Sequence, residues 1–181
     1  MCWNEDPIEL TPQQFEHEVK AMLEGANAKL TAFEVNHLEK LQGVDGVYEI
    51  DVTVQFEALG AKFLILVECK HQKSPIKREV VQVLCDKVQA TGAHKGMIFA
   101  TTTFQRGAIE YASVHGIALI RITEGKRFYV TKAFGISPEP PSWANIPPYA
   151  GDFTSLSNEG NIQHALVSVR DSEALNEFLD F

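Results

Sequence analysis

The sequence predicts one α/β domain in which helices flank a central mixed sheet. Three observations favour this fold class. A helical pattern begins near Thr11, two strand patterns joined by a short turn occupy residues 48–70, and helix and strand patterns then alternate as far as residue 122. The order helix, strands, helix, strand, helix, strand is typical of an α/β sandwich. A chain of 181 residues is long enough to bury the core of one such domain.

The first helix has a clear start signal. Thr11 can cap the helix, Pro12 suits its first position, and Gln14 can complete a capping box. Apolar residues then recur at helical spacing and are expected to face the core: Phe15, Val19, Met22, Leu23 and Ala26. Glu16 lies at the border of that stripe. A strand is predicted over Leu30 to Leu38.

The centre of the predicted fold is a hairpin over residues 48–70. Its first half alternates apolar and polar residues, and its second half is an apolar run that ends in charge. A turn centred on Leu59 and Gly60 would place Asp51 opposite Glu68. Like charges that face each other across a ladder are destabilising, so the pair predicts a cation between them. Lys70, on the same strand face as Glu68, supplies one charge, and a divalent metal could supply the rest.

The remaining core elements are predicted from caps and periodicity. Ser74 and Pro75 can start a second helix, whose apolar stripe would comprise Ile76, Val80, Val83, Leu84 and Val88, with Gln82 off that stripe. A strand follows at residues 96–100. One of Thr101, Thr102 and Thr103 is expected to cap a helix from Phe104 to His115, and strands are predicted over residues 117–122 and 127–131.

The chain divides at about residue 133 by composition. Five of its eight prolines fall between residues 138 and 148, where neither a helix nor an inner strand can form. We therefore expect a core domain over residues 1–133 and a Pro-rich, acidic C-terminal extension over residues 134–181 that is not an independent domain. Residues 134–170 are expected to form an extended cover or a linker, and residues 172–181 a short acidic helix.

Composition limits the function classes. No apolar run is long enough to span a bilayer, the N-terminus has no secretory pattern, and the three cysteines lack metal-ligand spacing, so we expect a cytoplasmic protein with reduced thiols. The net charge of −8 argues against nucleic-acid binding, but residues 133–181 carry most of it. A basic run after the hairpin, comprising Lys70, Lys73, Lys77 and Arg78, is either a solvated surface or a phosphate-binding track.

At this point the residues resemble a known family. Asp51 followed by Glu68-Cys69-Lys70 is similar to the core of the PD-(D/E)xK nucleases. Four further features resemble the Mrr-type restriction endonuclease domain over roughly residues 10–122: Phe15-Glu16, Asp45-Gly46, the segment from Ile98 to Thr102, and Phe104 with Ala108. The motif has a proline immediately before its first acid, whereas this sequence has Ile50 before Asp51.

The resemblance implies a restriction-endonuclease-like fold and a metal-dependent endonuclease that cuts DNA. It implies that Asp51, Glu68 and the carbonyl of Cys69 bind Mg²⁺ or Mn²⁺, and that Lys70 orients the attacking water. Glu16 would be an accessory acid near the metal or would orient Lys70, and Gln82 would flank the site. Lys73, Lys77 and Arg78 would contact nucleic acid. The C-terminal extension could mediate a homodimer or bind a partner protein.

Simpler structural interpretations of these residues stay open beside the nuclease hypothesis. The hairpin could be a sheet edge with a surface ion pair, and Glu16 and Gln82 could be solvated helix residues. At the level of the whole chain, one alternative is a non-catalytic module that uses the nuclease fold to bind nucleic acid or a partner protein. The other is an interaction or inhibitor domain whose acidic tail mimics nucleic acid or covers the site.

Overall fold

The computed structural model describes residues 8–25, 31–125 and 148–167. Three helices lie in these ranges: α1 (Pro12–Gly25), α2 (Arg78–Thr91) and α3 (Arg106–His115). Seven strands form one sheet: β1 (Thr31–Gln42), β2 (Val47–Ala58), β3 (Ala61–Lys70), β4 (Lys95–Ala100), β5 (Ile117–Glu124), β6 (Tyr149–Leu156) and β7 (Ile162–Val167). Within these ranges, no helix is long and apolar enough to cross a membrane.

The sheet is mixed, as predicted. Its spatial order follows the chain order from β1 to β7. Neighbouring strands are antiparallel from β1 to β3, parallel from β3 through β4 to β5, and antiparallel again from β5 to β7. The parallel pairs require crossover connections, and α2 and α3 supply them.

Helices cover both faces of the sheet. The two crossovers advance in the same direction across the sheet, and right-handed connections then place α2 and α3 on the same face. The apolar residues of those helices join one buried cluster with Leu66, Ile98 and Leu119. Helix α1 packs on the opposite face, in a second cluster with Val54, Ile65 and other strand residues. The predicted α/β sandwich is therefore confirmed.

Helix α1 begins as the sequence predicts. The Thr11 hydroxyl accepts a hydrogen bond from the backbone N–H of Gln14, and the Gln14 side chain accepts one from the N–H of Thr11, at 3.2 and 2.8 Å. This reciprocal pair is a capping box. Four of the five predicted core residues of the helix are buried, Phe15, Val19, Met22 and Leu23. Ala26 lies outside the described residues.

The central hairpin has the predicted register. Its pairing runs from Ala58 and Ala61 at the turn to Val52 and Val67. Leu59 and Gly60 form the turn with φ values of 53° and 79°. Two successive positive φ angles characterise the type I′ turn, whose twist matches that of the flanking strands.

The start of α2 and the cap of α3 differ from the predictions. Helix α2 begins at Arg78 rather than near Ser74, because Ile76 forms a parallel bridge with Phe104 in the next crossover loop. Gln105, not a threonine, is the N-cap of α3. The hydroxyl of Thr101 is instead hydrogen-bonded to the backbone of the β3–α2 loop.

The predicted apolar stripe of α2 is wrong at Val83, and Ile76 is buried but precedes the helix. Val83 is 54% exposed, and Val81, two residues earlier, is fully buried. The buried face of α2 is shared between the sheet and α3, so it is rotated relative to a stripe that would contact the sheet alone.

The prediction of a cover or linker over residues 134–170 is wrong for residues 149–167. Strand β6 pairs with β5 and β7 pairs with β6, so this part of the chain extends the sheet. The prolines mark only the segment before β6. The strand predicted over residues 127–131 and the acidic helix predicted over residues 172–181 lie outside the described residues.

Candidate active site

The site begins where β2 separates from β3. Their pairing ends at Val52 and Val67, and at the next position the carboxylate of Asp51 accepts a hydrogen bond of 2.7 Å from the backbone N–H of Cys69. A side-chain oxygen of Asp51 thus accepts the hydrogen bond that a backbone carbonyl of β2 would accept in a regular strand pair. The two residues beside Asp51 also face different cores, since Val52 packs on the α1 side and Ile50 on the side of α2 and α3.

Strand β1 is irregular at the same level of the sheet. His37 pairs with Val52 and Glu39 pairs with Ile50, which leaves Leu38 beside Asp51. Leu38 has a φ of 51°, a conformation that costs a non-glycine residue about 1–2 kcal/mol. Such local irregularities re-aim side chains and are common next to functional sites. Here the irregularity lies beside the first acid of the site.

Glu68 lies on β3 with an ammonium group on each carboxylate oxygen. Lys70 Nζ is 2.5 Å from Oε1, and Lys87 Nζ, from α2, is 2.9 Å from Oε2. The side chains of Glu68, Lys70 and Lys87 are 11%, 31% and 19% exposed. The three charges are therefore largely withdrawn from water but retain a path to solvent through Lys70.

The two acids have opposite pKa shifts. Burial raises the pKa of Asp51, partly offset by the N–H of Cys69, and the nearby charges of Glu68 and Glu16 raise it further. Burial also raises the pKa of Glu68, but the hydrogen bonds and charges of Lys70 and Lys87 outweigh it, so the pKa of Glu68 is lowered. Glu68 is thus held as a carboxylate, whereas the ionised form of Asp51 has incomplete compensation.

Glu16 of α1 lies close to this group but contacts a different partner. Its carboxylate is 2.7 Å from Nε2 of His37 on β1, and the pair is largely buried. The Glu16 charge acts on Asp51, which agrees with an accessory acid near the site. It does not orient Lys70, whose described partner is Glu68.

The oxygen donors suit a hard divalent cation. In an extended strand the N–H and C=O of one residue point to the same side. The N–H of Cys69 points to Asp51, so the Cys69 carbonyl points that way as well. Carboxylate and carbonyl oxygens are the ligands that Mg²⁺ and Mn²⁺ prefer. Among the described residues, however, no three His, Cys, Asp or Glu side chains lie together as a ready metal site. Both oxygens of Glu68 are already hydrogen-bonded.

The Cys69 thiol points away from the acids, as the sequence predicts. It packs against the core on the α1 side and is free of a disulfide. Burial raises the pKa of this thiol, followed by the charge of Asp51, so it stays protonated. Only the backbone of Cys69 is available to the site.

The structure does not bring Gln82 to the acids. Gln82 precedes Lys87 by five residues on α2, which places the two side chains about 140° apart around the helix. No hydrogen bond joins Gln82 to another described residue. Gln82 lies on the helix that flanks the site, but on a different side of that helix from Lys87, whose side chain contacts Glu68.

The predicted basic track lies on an exposed loop beside the site. Lys73 and Lys77 are exposed in the β3–α2 loop, and Arg78 begins α2 with its guanidinium 4.9 Å from the ring centre of Tyr111. The loop is anchored to the β4–α3 loop by the Ile76–Phe104 bridge. The basic side chains are therefore presented from a fixed backbone at the carboxyl end of β3.

Comparison with known families identifies the domain. The sequence model of the family Mrr_cat, described as restriction endonuclease, matches residues 8–128. The chain belongs to the Mrr_cat family of restriction endonucleases. No curated protein matches the chain. One similar solved structure is the crystal structure of the protein of unknown function AF1548, with 27% identity and a TM-score of 0.48, which covers 57% of this chain. The chain spans about half, 54%, of that protein's chain.

Sequence reasoning missed two residues that contact the acids of this candidate site, Lys87 and His37. Lys87 did leave a signal, since it lies three residues after Leu84 and one before Val88, at the border of an apolar stripe. A charged residue in that position needs a partner of opposite charge. His37 left no comparable signal, because its contact with Glu16 depends on how α1 crosses β1.

Proposed function

We propose that this Mrr_cat protein is a metal-dependent endonuclease that hydrolyses phosphodiester bonds of DNA in restriction or defence. The observation that carries the proposal is the meeting of Asp51, Glu68 and Lys70 where β2 and β3 separate. Membership of a restriction endonuclease family supports it independently. The location of this protein in the cytoplasm stays a prediction.

In this proposal Asp51, Glu68 and the Cys69 carbonyl hold Mg²⁺ or Mn²⁺. The cation, when bound, acidifies the attacking water and neutralises charge on the phosphate. The Cys69 N–H fixes the direction of the Asp51 carboxylate. Lys70 is partly exposed, so its ammonium can donate hydrogen bonds to the attacking water and to the negative charge that develops on the phosphate.

The basic residues of the β3–α2 loop would position the DNA strand. Lys73 and Lys77 are exposed and have no ion pair with a described residue, so their charges are available to phosphate groups. Such contacts hold the backbone without reading its sequence. They also place positive charge locally beside the site, whereas the net charge of −8 for the whole chain would by itself repel DNA.

One observation favours a second candidate, a non-catalytic module that binds nucleic acid through the same fold. Each carboxylate oxygen of Glu68 contacts an ammonium group, and the charges of Asp51 and Glu68 are balanced by those of Lys70 and Lys87 without any metal. A module that had lost catalysis could retain such an internally neutral site for structural reasons alone.

The test is cleavage of supercoiled plasmid DNA in Mg²⁺ or Mn²⁺, with EDTA as the metal-free reference. We expect relaxed and linear products with metal and none with EDTA. Asp51→Ala and Lys70→Ala should each lower the rate by about 100-fold or more while circular dichroism stays unchanged. The matched control is Lys62→Ala, because Lys62 is an exposed lysine near the turn of the same hairpin.

Two results decide against the proposal. Cutting that persists in EDTA, or in Asp51→Ala at the wild-type rate, would remove the metal site from the mechanism. DNA binding without cleavage in either metal would favour the non-catalytic module.

A further inference from the structure

Lys87 provides Glu68 with a second cation from a different element. Lys70 follows Glu68 by two residues on β3, so it stays beside the acid whatever the rest of the fold does. Lys87 reaches the other oxygen of Glu68 across the packing between α2 and the sheet. The 2.9 Å contact takes up the oxygen that Lys70 leaves free.

The presence of Lys87 changes the charge of the site. Asp51 and Glu68 with Lys70 alone would carry one net negative charge, which attracts a divalent cation. With Lys87 the group is neutral. A cation that binds there must either create a doubly positive group or replace an ammonium. Burial strengthens this effect, since charges in a partly buried site are poorly screened.

Lys87 is the ammonium that can leave. Its side chain is 19% exposed and lies at the border of the buried face of α2, and its four-carbon stem can turn the charged end to solvent while the carbons stay packed. Lys70 is more exposed, at 31%, but the proposed function keeps its ammonium at the site beside the attacking water.

We propose that Lys87 is a built-in counter-cation, which occupies the Glu68 oxygen needed for metal and is displaced when a divalent cation binds. The inference rests on the proposed function, because it concerns the same metal site. It makes Lys87 a positioning residue: it holds Glu68 in place in the metal-free protein and weakens metal binding by competition.

The test measures Mn²⁺ binding rather than cleavage. The Mn²⁺ dissociation constant of the full chain is obtained from the electron paramagnetic resonance signal of free Mn²⁺, and the Mn²⁺-induced rise in Tm is measured in parallel. We expect Lys87→Met to bind Mn²⁺ about tenfold more tightly than the wild type, the factor that corresponds to losing one charge-assisted hydrogen bond. Its Tm should rise correspondingly more with Mn²⁺.

Two variants separate competition from a merely structural role. Lys87→Arg retains the positive charge and should bind Mn²⁺ within about twofold of the wild type. Lys62→Met removes a charge of the same sign from an exposed ion pair with Glu57 and should also leave the affinity unchanged. Circular dichroism and the metal-free Tm establish that each variant is folded.

The outcomes distinguish this inference from the proposed function. If Lys87→Met binds Mn²⁺ no more tightly than the wild type, and Asp51→Ala abolishes binding in both, the inference is wrong while the metal site stands. If neither protein binds Mn²⁺, the inference is wrong as well, and the plasmid assay with EDTA decides the proposed function separately.

Discussion

At the scale of single residues, the two acids of the site make opposite contributions to stability. Glu68 is compensated by two ammonium groups, so its ionised form stabilises the fold. Asp51 is partly buried with one N–H donor and two acidic neighbours, so its ionised form costs stability. A functional group that destabilises its own fold is the pattern expected where activity and stability compete.

Replacing Asp51 by Asn should therefore stabilise the protein at pH 7. Burial raises the pKa of Asp51 above 3.8, so the folded state binds the proton more tightly than the unfolded chain, and stability falls as the group ionises. Asn removes that cost and keeps an oxygen that can accept the hydrogen bond from Cys69. We expect a gain of about 1 kcal/mol in the free energy of unfolding, measured by urea denaturation at pH 7.

The pH dependence supplies the control for this effect. The difference between Asp51→Asn and the wild type should shrink as the pH falls from 7 toward 4, because Asp51 becomes protonated. Asp86→Asn removes an exposed carboxylate from α2 and should change stability little at either pH. A loss of stability in Asp51→Asn at pH 7 would contradict the assignment of Asp51 as an undercompensated charge.

The acids and Lys70 could be found from the sequence because one hairpin holds all three. A two-residue turn determines the register, and strand periodicity then determines which side chains share a face. Lys87 could not be assigned in the same way, since its contact depends on the rotation of α2 over the sheet. The error at Val83 has that same cause.

At the scale of elements, the turn of the central hairpin is a local strain that can be relieved. Leu59 has a φ of 53°, although its side chain is fully exposed and buries nothing. Leucine in this conformation costs energy, while Asn followed by Gly is the favoured pair for such a turn. The type I′ turn therefore suits the hairpin, but Leu59 is poorly suited to its position in that turn.

Leu59→Asn should raise the stability of the protein by about 0.5–1 kcal/mol without changing activity. The expected shift in Tm for a domain of this size is about 1–4 °C, measured by thermal unfolding. Leu59→Val should lower the Tm, because a β-branched side chain is still less compatible with positive φ. Equal Tm values for the Asn and Val variants would show that backbone strain at Leu59 is negligible.

Strands β6 and β7 show where element prediction from the sequence stopped. The prolines between residues 138 and 148 predict neither a helix nor an inner strand in that segment, nearly all of which lies outside the described residues, and they say nothing about the residues that follow. Strand β6 is also short of apolar residues, with Gly151, Asp152 and Thr154 near its centre. Its place is set by pairing with β5, which is a long-range contact that composition does not reveal.

At the scale of the whole molecule, the C-terminal extension over residues 134–181 contains two different parts. Residues 149–167 complete the sheet, whereas residues 168–181 hold four acids against one arginine. Residues 149–167 hold two further acids, Asp152 and Glu159, so the negative charge is shared between the two parts. Removing the two parts in turn can distinguish a structural role from an electrostatic one.

A chain that ends at residue 133 should be much less stable than one that ends at residue 167. The shorter chain leaves the backbone of β5 unpaired along one side and uncovers core residues where Tyr149 and Phe153 now pack. We expect a loss on the order of 3 kcal/mol or more, a large fraction of the stability of an ordinary domain, together with aggregation through the exposed edge.

The chain that ends at residue 167 keeps β6 and β7, so its urea midpoint should match that of the full chain. It should also bind DNA more tightly at low salt, because the acidic end that repels phosphate is gone. Equal urea midpoints for the two truncated chains would show that the domain is complete at residue 133 and that β6 adds nothing to it.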